Sequence, residues 1–268
     1  HHLELEASSI FKHLPWRSIG PISQGGRVES VVGVSGDPSI MYVGIGSGGV
    51  WKTENAGTTW KPIFDDQPTQ AIGDIEVSQS NPDLVWVGTG ESLLSKTSFP
   101  GVGVFKSEDG GDNWQHMGLI DSHHIMRIAF DPKDEQTVYV AAMGHNIAPN
   151  AERGVFKTSD GGKTWSKILF VNDQTGASDV IVDPSNSNHV FAAMWNRNDG
   201  TYSGIHKSVD GGETWSKTSS GFLNGEHTGI IGLDIAPTNS NYIYAVVDNR
   251  ELIIENGGER GVIGCEVY

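Results

Sequence analysis

A nine-residue motif that recurs four times along the chain constrains its fold more than any other feature. The copies are KTENAGTTW, KSEDGGDNW, KTSDGGKTW and KSVDGGETW, which end at Trp60, Trp114, Trp165 and Trp215. The closing tryptophans lie 50 to 54 residues apart, and each copy follows a short apolar segment such as Gly-Val-Phe-Lys. A fixed period of this length is typical of repeat proteins in which each unit is one small sheet. The motif, called the box below, therefore predicts a row of similar β-sheets.

The residue types of the box predict a tight hairpin turn. Its fourth position carries Asn55, Asp109, Asp160 and Asp210, whose side chains can accept hydrogen bonds from backbone N–H groups two or three residues on. Its sixth position carries Gly57, Gly111, Gly162 and Gly212, which supply the positive φ that such a turn requires. We expect Trp60, Trp114, Trp165 and Trp215 to fold under the hairpin and fill the gap between neighbouring sheets.

Two further strands precede each box and one follows it, so each unit is predicted to be a four-stranded antiparallel sheet. The first strand is predicted at 28–34, 72–77, 125–130, 177–182 and 230–235, and the second at 41–43, 85–87, 138–141, 190–193 and 243–246. This pattern predicts an all-β chain, a β-propeller with about five blades, in which the box joins the third and fourth strands. The approximate blades are 27–64, 71–118, 124–170, 177–220 and 229–268, within a propeller region 11–268.

Five copies of the first two strands accompany only four boxes, so the fifth blade is incomplete in this sequence. Residues 16–19 resemble a box tryptophan followed by an outer strand, and they are a candidate closing strand. Either the chain closes as five blades with that strand, or it is the first part of a longer ring; we favour the longer ring. Residues 1–10 are interpreted as a tag remnant or a disordered lead.

Composition and charge exclude several classes of function. The 35 Gly, 11 Pro and 8 Trp agree with many tight turns around small sheets. The formal net charge of −15 disfavours binding to nucleic acid or to an anionic membrane surface, and no apolar run is long enough to insert into a membrane. Cys265 is the single cysteine, so no internal disulfide forms. No cofactor is predicted. No metal is predicted either, because no third ligand stands at a diagnostic spacing from His123 and His124.

The boxes, together with WRSIGP and GGRV near the start, VWVGTGE before position 92 and RGVFKTSDGGKTW from Arg153, carry a family resemblance. The chain resembles Asp-box (BNR) repeat propellers over nearly its whole length, and most closely the bacterial sortilin-like or glycosyl-hydrolase-like BNR repeat proteins. The resemblance implies a secreted or periplasmic protein. Two departures oppose catalysis: the Arg-Ile-Pro strand of sialidases is missing, and Gly46 stands where xyloglucan-cleaving relatives carry a catalytic Asp.

Candidate functional residues are predicted on the face of the propeller opposite the boxes, where the connections between blades and the loops between second and third strands meet. The weak catalytic candidates are Glu91 and Glu152, and the binding candidates are Arg27, His124, Arg127, Arg197 and His227. Arg127 is also expected to pair with Asp179 across the central channel as a structural ion pair. The longest of these loops is predicted at 248–261.

Three functions remain open on this basis. The favoured one is a non-catalytic module that binds a glycan or a protein or peptide ligand through the face opposite the boxes. The alternative is a sialidase-like or xyloglucanase-like glycoside hydrolase that uses loop carboxylates. The third is a structural scaffold with a flat apolar patch and no cleft.

Overall fold

The fold is described by a computed structural model that covers residues 26–218, 220–255 and 258–268. The predicted N-terminal lead 1–10 and the candidate closing strand 16–19 lie outside the described residues. Within them, the chain is all-β apart from two three-residue 3-10 turns, Ile120–Ser122 and Gly200–Tyr202. None of the helical turns in this part of the chain is long and apolar enough to cross a membrane.

In the part of the chain that the structure describes, nineteen strands form five antiparallel sheets, in which each strand pairs with its neighbours in sequence. The first sheet contains β1 (Val28–Val34), β2 (Asp37–Ile45), β3 (Gly49–Thr53) and β4 (Lys61–Pro62). The second contains β5 (Ile72–Val77), β6 (Val85–Thr89), β7 (Val104–Ser107) and β8 (Gln115–His116). The third contains β9 (Ile125–Asp131), β10 (Asp134–Ala142), β11 (Gly154–Thr158) and β12 (Ser166–Leu169). The fourth contains β13 (Thr175–Val182), β14 (Val190–Asn196), β15 (Gly204–Ser208) and β16 (Ser216–Lys217), and the fifth contains β17 (Thr228–Ile235), β18 (Ile243–Glu255) and β19 (Gly258–Val267).

The predicted first and second strands are confirmed in all five sheets, so the chain is a β-propeller with about five blades. The loop predicted at 248–261 is wrong. There β18 continues to Glu255 and pairs with β19, with Leu252 opposite Val262 and Ile253 opposite Gly261. The reason is that apolar and β-branched residues in both segments favour an extended hairpin over an irregular loop.

The box turn is held by a pair of side chains rather than by its Asp alone. In the third sheet the Thr158 hydroxyl accepts the N–H of Gly162 at 2.9 Å and donates to Asp160 Oδ1 at 2.8 Å. Asp160 Oδ1 in turn accepts the N–H of Thr164 at 2.9 Å, four residues on rather than two or three. The predicted positive φ of the box glycine is confirmed, for example at +91° in Gly162. The Thr158 hydroxyl and the Asp160 carboxylate therefore close two overlapping turns, each of which spans four residues.

Trp114, Trp165 and Trp215 pack across the boundaries between sheets, as predicted, and the indole N–H groups of Trp114 and Trp165 bond to the preceding sheet. The prediction is wrong for Trp60, which is 39% exposed and packs against none of the buried clusters of the described residues. Trp114 Nε1 donates to the carbonyl of Ile63 at 2.7 Å, and its ring lies edge-on to Phe64. Trp165 Nε1 donates to the carbonyl of Met117 at 2.7 Å and lies edge-on to Trp86. Each of these tryptophans borders a buried apolar cluster that combines residues of two sheets.

Polar fasteners, which are hydrogen bonds from side chains, also join the boxes of the second and fourth sheets to the preceding sheets. The Tyr42 hydroxyl donates to the carbonyl of Gly110, and the Tyr139 hydroxyl donates to the carbonyl of Gly211, both at 3.0 Å. Lys157 Nζ donates to the same Gly211 carbonyl at 2.9 Å while it lies over the Tyr139 ring. In the second sheet Trp86 occupies the place of the tyrosine, and its indole N–H has no partner among the described residues.

The topology separates two faces of the propeller. First and third strands run in the same direction, so the turns between first and second strands share a face with the boxes; the Gly110 N–H bonds the Asp83 carbonyl of such a turn. This face is called the box face. The opposite face carries the loops between second and third strands and the connections between sheets, and it is called the loop face.

Candidate functional site

The loop face presents exposed apolar side chains on three consecutive sheets. Phe99 lies in the loop between β6 and β7 and is 59% exposed, Ile147 lies between β10 and β11 and is 74% exposed, and Tyr202 lies between β14 and β15 and is 47% exposed. Large side chains of this kind usually pack away from water, so a row of them marks a surface suited to binding.

Glu91 begins the loop after β6 and is engaged in an ion-pair cluster on the loop face. Its Oε1 lies 2.9 Å from Arg27 Nη2, and its Oε2 accepts the N–H of Phe99 at 3.0 Å. Arg27 Nε also lies 3.5 Å from Glu29 Oε1, and the Ser92 hydroxyl donates to the other oxygen of Glu29. The structure therefore brings two candidates, Arg27 and Glu91, into contact, and both Glu91 oxygens already have partners.

Position 46 lies between the two carboxylates of this cluster. A Cβ atom on Gly46 would stand 2.8 Å from Glu29 Oε1 and 3.1 Å from Glu91 Oε1. The two oxygens consequently lie no more than about 6 Å apart, an upper limit that includes the carboxyl separation of about 5–5.5 Å in retaining glycosidases. Sequence reasoning missed Glu29 because it begins an inner strand of the first sheet. The other catalytic candidate, Glu152, lies half-buried in the loop between β10 and β11.

Three side chains with metal-ligating atoms meet where the connection between the second and third sheets approaches the β10–β11 loop. Asp121 Oδ1 lies 2.9 Å from His145 Nε2 and 3.7 Å from His123 Nε2. The imidazoles of His123 and His145 are stacked, with ring centroids 3.7 Å apart and planes inclined by 19°. Partial burial, followed by the neighbouring His145, lowers the pKa of His123, while the hydrogen bond from His145 lowers the pKa of Asp121.

His124 points the other way and is a core residue. It is fully buried, and its Nδ1 lies 3.0 Å from the carbonyl of Glu91. Burial lowers the pKa of His124 to about 4, so the imidazole is neutral at physiological pH. This side chain supports the loop of Glu91 from beneath and does not reach a surface ligand.

Arg197 ties together the loops of the second, third and fourth sheets. Its Nη2 donates to the carbonyl of Leu94 and to Asn146 Oδ1, each at 2.5 Å. Its guanidinium lies 5.0 Å from the ring centroid of Trp195, and that of Arg250 lies 5.2 Å from the same ring. Partial burial lowers the pKa of Arg197, and the nearby positive charge of Arg250 lowers it further. A cavity of about 110 Å³ lies beside this stack and is lined by Asn146, Arg153, Gln174, Trp195 and Asn198 among others.

Arg127 lies in the central channel rather than on the loop face. Its Nε stands 3.8 Å from Asp179 Oδ1, which confirms the predicted pairing. Asp179 Oδ2 accepts the N–H of Leu233 at 2.8 Å, so its carboxylate fastens neighbouring inner strands. Burial raises the pKa of Asp179 to about 6, and burial together with the Asp74 carboxylate raises the pKa of Glu76 to about 7.

The channel opens on the box face into a cavity of about 670 Å³, which is larger than the cavity beside Arg197. Its walls come from the ends of the inner strands and the turns that follow them, including Glu76, Arg127 and Glu135. The last binding candidate, His227, lies on the loop face with its Nε2 3.3 Å from Glu226 Oε1. The candidates are thus dispersed among five places. Arg27 and Glu91 form one cluster with His124 beneath it, whereas Glu152, Arg197, Arg127 and His227 lie apart from that cluster.

Comparison with protein families decides the relationship of the chain. The Sortilin-Vps10 family model, described as "Sortilin, neurotensin receptor 3,", matches residues 102–254, more than half of the sequence. The chain belongs to the Sortilin-Vps10 family. This agrees with the sortilin-like resemblance carried by the boxes.

The curated relatives of this Sortilin-Vps10 chain include xyloglucanases. A xyloglucanase of Paenibacillus sp is 24% identical over 197 residues, which cover 68% of this chain and 18% of the relative. A xyloglucanase of Hypocrea jecorina (strain QM6a) is 32% identical over 206 residues, which cover 70% of this chain and 23% of the relative. The chain therefore spans about a fifth of the length of the curated relatives that it matches.

Solved structures support the propeller fold. An ancestral GH74 enzyme matches with a TM-score of 0.68 and 23% identity, over 87% of this chain and 29% of that one. YCF48 bound to D1 peptide matches with a TM-score of 0.54 and 15% identity, over 87% of this chain and 64% of that one. At these identities the likeness concerns the fold alone. An enzyme and a peptide-bound protein thus share the architecture of this Sortilin-Vps10 chain.

Proposed function

We propose that this chain is a non-catalytic propeller module of a secreted or periplasmic protein, and that it binds an extended glycan of the xyloglucan class across its loop face. The observation that carries the proposal is the row of exposed Phe99, Ile147 and Tyr202 on consecutive sheets. Sugar rings present apolar faces between hydroxyl groups, so their binding sites combine aromatic surfaces with a few placed polar groups.

Polar groups suited to sugar hydroxyls lie close to this row. The cavity beside Ile147 is lined by Asn146, Gln174 and Asn198, whose amides can both donate and accept hydrogen bonds. Trp195 lines the same cavity, and its buried indole N–H has no partner among the described residues. The names of the curated relatives favour a glycan over a peptide as the ligand.

The state of the carboxylates favours binding without cleavage. A general acid or nucleophile must be free to exchange a proton or attack carbon, whereas Glu91 is 2% exposed and holds both Arg27 and the Phe99 N–H. Position 46, where the resemblance would place a catalytic Asp, is a glycine.

Binding of xyloglucan oligosaccharides by the full-length protein, measured by titration calorimetry, tests the proposal. We expect Phe99→Ala and Tyr202→Ala each to weaken binding by about tenfold, equivalent to about 1.4 kcal/mol for one lost aromatic contact. Val209→Ala is the matched control, because Val209 is similarly exposed, at 58%, but lies in the box of the fourth sheet.

Two results would overturn the assignment. If Val209→Ala weakened glycan binding as much as the loop-face substitutions do, the loop face would not be the binding surface. If the protein bound no glycan but bound a peptide from a library, the ligand would be a peptide rather than a glycan.

Glycoside hydrolysis is the second candidate function, and the short separation of the Glu29 and Glu91 carboxylates favours it. Release of reducing ends from a polysaccharide panel would support it and contradict the non-catalytic module. In that case Glu91→Gln should abolish the release, whereas activity that survives both Glu91→Gln and Glu152→Gln would exclude these loop carboxylates.

A further inference from the structure

Asp121, His123 and His145, called the histidine cluster below, bring one carboxylate and two imidazoles to a single point on the loop face. Their ligand-capable atoms all lie within 4.8 Å of one another. Ligands around a zinc ion stand about 2.0 to 2.2 Å from the metal, so any two of them are separated by at most about 4 Å. Movements of about an ångström would therefore bring the three groups onto one ion.

The backbone aims both elements of the histidine cluster at this point. His123 has a φ of +55°, in the left-handed region that residues with a Cβ rarely adopt. Leu119, four residues earlier, is also left-handed with a φ of +57°, so the connection makes two unusual bends around the turn Ile120–Ser122. One consequence is that His123 and His124 project in opposite directions, one toward His145 and the other into the core.

Side chains behind the histidine cluster hold its two elements together. Asn150 Oδ1 accepts the N–H of His145 at 3.0 Å, and Asn150 Nδ2 donates to the carbonyl of Asp121 at 3.0 Å. Buried Arg153 donates from Nη2 to the carbonyl of His145 at 2.7 Å and from Nε to Asn150 Oδ1 at 3.0 Å. Such outer contacts are the usual means by which proteins orient metal ligands.

From this geometry we propose that the histidine cluster is a binding site for a divalent transition metal of the zinc class. Two imidazole nitrogens and one carboxylate oxygen suit Zn²⁺, whereas Mg²⁺ and Ca²⁺ prefer all-oxygen ligand sets. Asp121 is exposed, so the fourth position of a tetrahedral ion faces water. The ion replaces the hydrogen bond between Asp121 and His145 and draws the stacked imidazoles apart, which fastens the inter-sheet connection to the β10–β11 loop.

The site does not depend on the proposed glycan function, and its test uses metal binding alone. The full-length protein, freed of His1 and His2 and of any tag, is titrated with Zn²⁺ against a competing chelator. We expect one Zn²⁺ ion to bind per protein molecule, without competition from Mg²⁺ or Ca²⁺. When Co²⁺ is the probe, we expect the absorption spectrum of a tetrahedral ion.

Variants separate the ligands from their supports. His123→Ala and His145→Ala should each weaken Zn²⁺ binding by more than about 100-fold, and Asn150→Ala by about 10- to 100-fold. His227→Ala is the matched control, since His227 is an exposed loop-face histidine beside a carboxylate but outside the histidine cluster. Asp121→Asn, a conservative change at an exposed position, provides a variant that retains the fold.

The outcomes are distinct. Zn²⁺ binding lost in Asp121→Asn and His145→Ala but kept in His227→Ala supports the site. Zn²⁺ binding that is absent from the unmodified protein, or that persists with equal affinity in both of those variants, overturns it.

Discussion

Glu76 offers a direct test of the electrostatics in the central channel. Its carboxyl group lines the large channel cavity, and burial and the nearby Asp74 raise its pKa from 4.5 to about 7. A carboxyl with a raised pKa in the folded state binds its proton more tightly there than in the unfolded chain. The contribution of Glu76 to stability is therefore fully present below about pH 4.5 and is lost as the pH rises through about 7, by at most about 3 kcal/mol for this shift.

Glu76→Gln removes the ionisable group while it keeps the size of the side chain. We expect the substitution to raise the free energy of unfolding by about 1 to 3 kcal/mol at about pH 8.5, and to have little effect at about pH 4. The measurement is urea unfolding at both pH values, monitored by tryptophan fluorescence.

Glu135→Gln is the control with the opposite sign. Glu135 lines the same cavity, but hydrogen bonds from the Ser80 and Ser78 hydroxyls lower its pKa. Its contribution is therefore fully present above the unfolded pKa of 4.5 and is lost as the pH falls through the lower folded pKa, so Glu135→Gln should destabilise the protein more at about pH 8.5 than at about pH 4. Equal effects of Glu76→Gln at the two pH values, or destabilisation at about pH 8.5, would refute the reasoning.

Five substitutions test the packing and the turns of the boxes through thermal and urea unfolding. Trp165→Ala should cost about 3–5 kcal/mol, because it empties an inter-sheet gap, and Trp60→Ala should cost less because Trp60 is 39% exposed; equal costs would contradict the proposed packing. Gly162→Ala should cost about 2–5 kcal/mol, since its φ is +91° and a Cβ would meet a buried indole carbon at 2.6 Å. Gly36→Ala, with a φ of +81° and open space around it, isolates the backbone part and should cost about 1–2 kcal/mol. Thr158→Ala should cost about 1–3 kcal/mol, because it leaves the buried Gly162 N–H without its acceptor; a neutral result would assign the turn to Asp160 alone.

The fold was predictable because its signals are local and repeated. The segment from Ile72 to Val77 is a buried strand bounded by turn residues, and its ends agree with the prediction. The hairpin of β18 and β19 was missed although Asn256-Gly257 is a sequence pair that favours tight hairpins. The analogy with the loops of the other blades outweighed that local signal.

The site was less predictable because its partners are distant in sequence. His123 lies on the connection between the second and third sheets, and His145 lies in the β10–β11 loop. They meet because both segments lie on the loop face. Glu29 and Glu91 likewise belong to the first and second sheets. A search for ligands at short spacings does not find such pairs, whereas pairing each connection with the next loop on the same face would have found the histidines.

The fasteners between sheets have a direction, and this has a consequence for how such chains grow. Each unit donates a hydrogen bond from a hydroxyl or ammonium group on its second or third strand to the unit that follows. Its own box glycine accepts the corresponding bond from the unit before. The bonds from Tyr42 to Gly110 and from Tyr139 to Gly211 are examples. A duplicated unit inserted between two others thus brings both halves of the attachment with it and needs no matching change in its neighbours. Gene duplication can lengthen the row by whole units, so that rings of different size arise from one attachment chemistry.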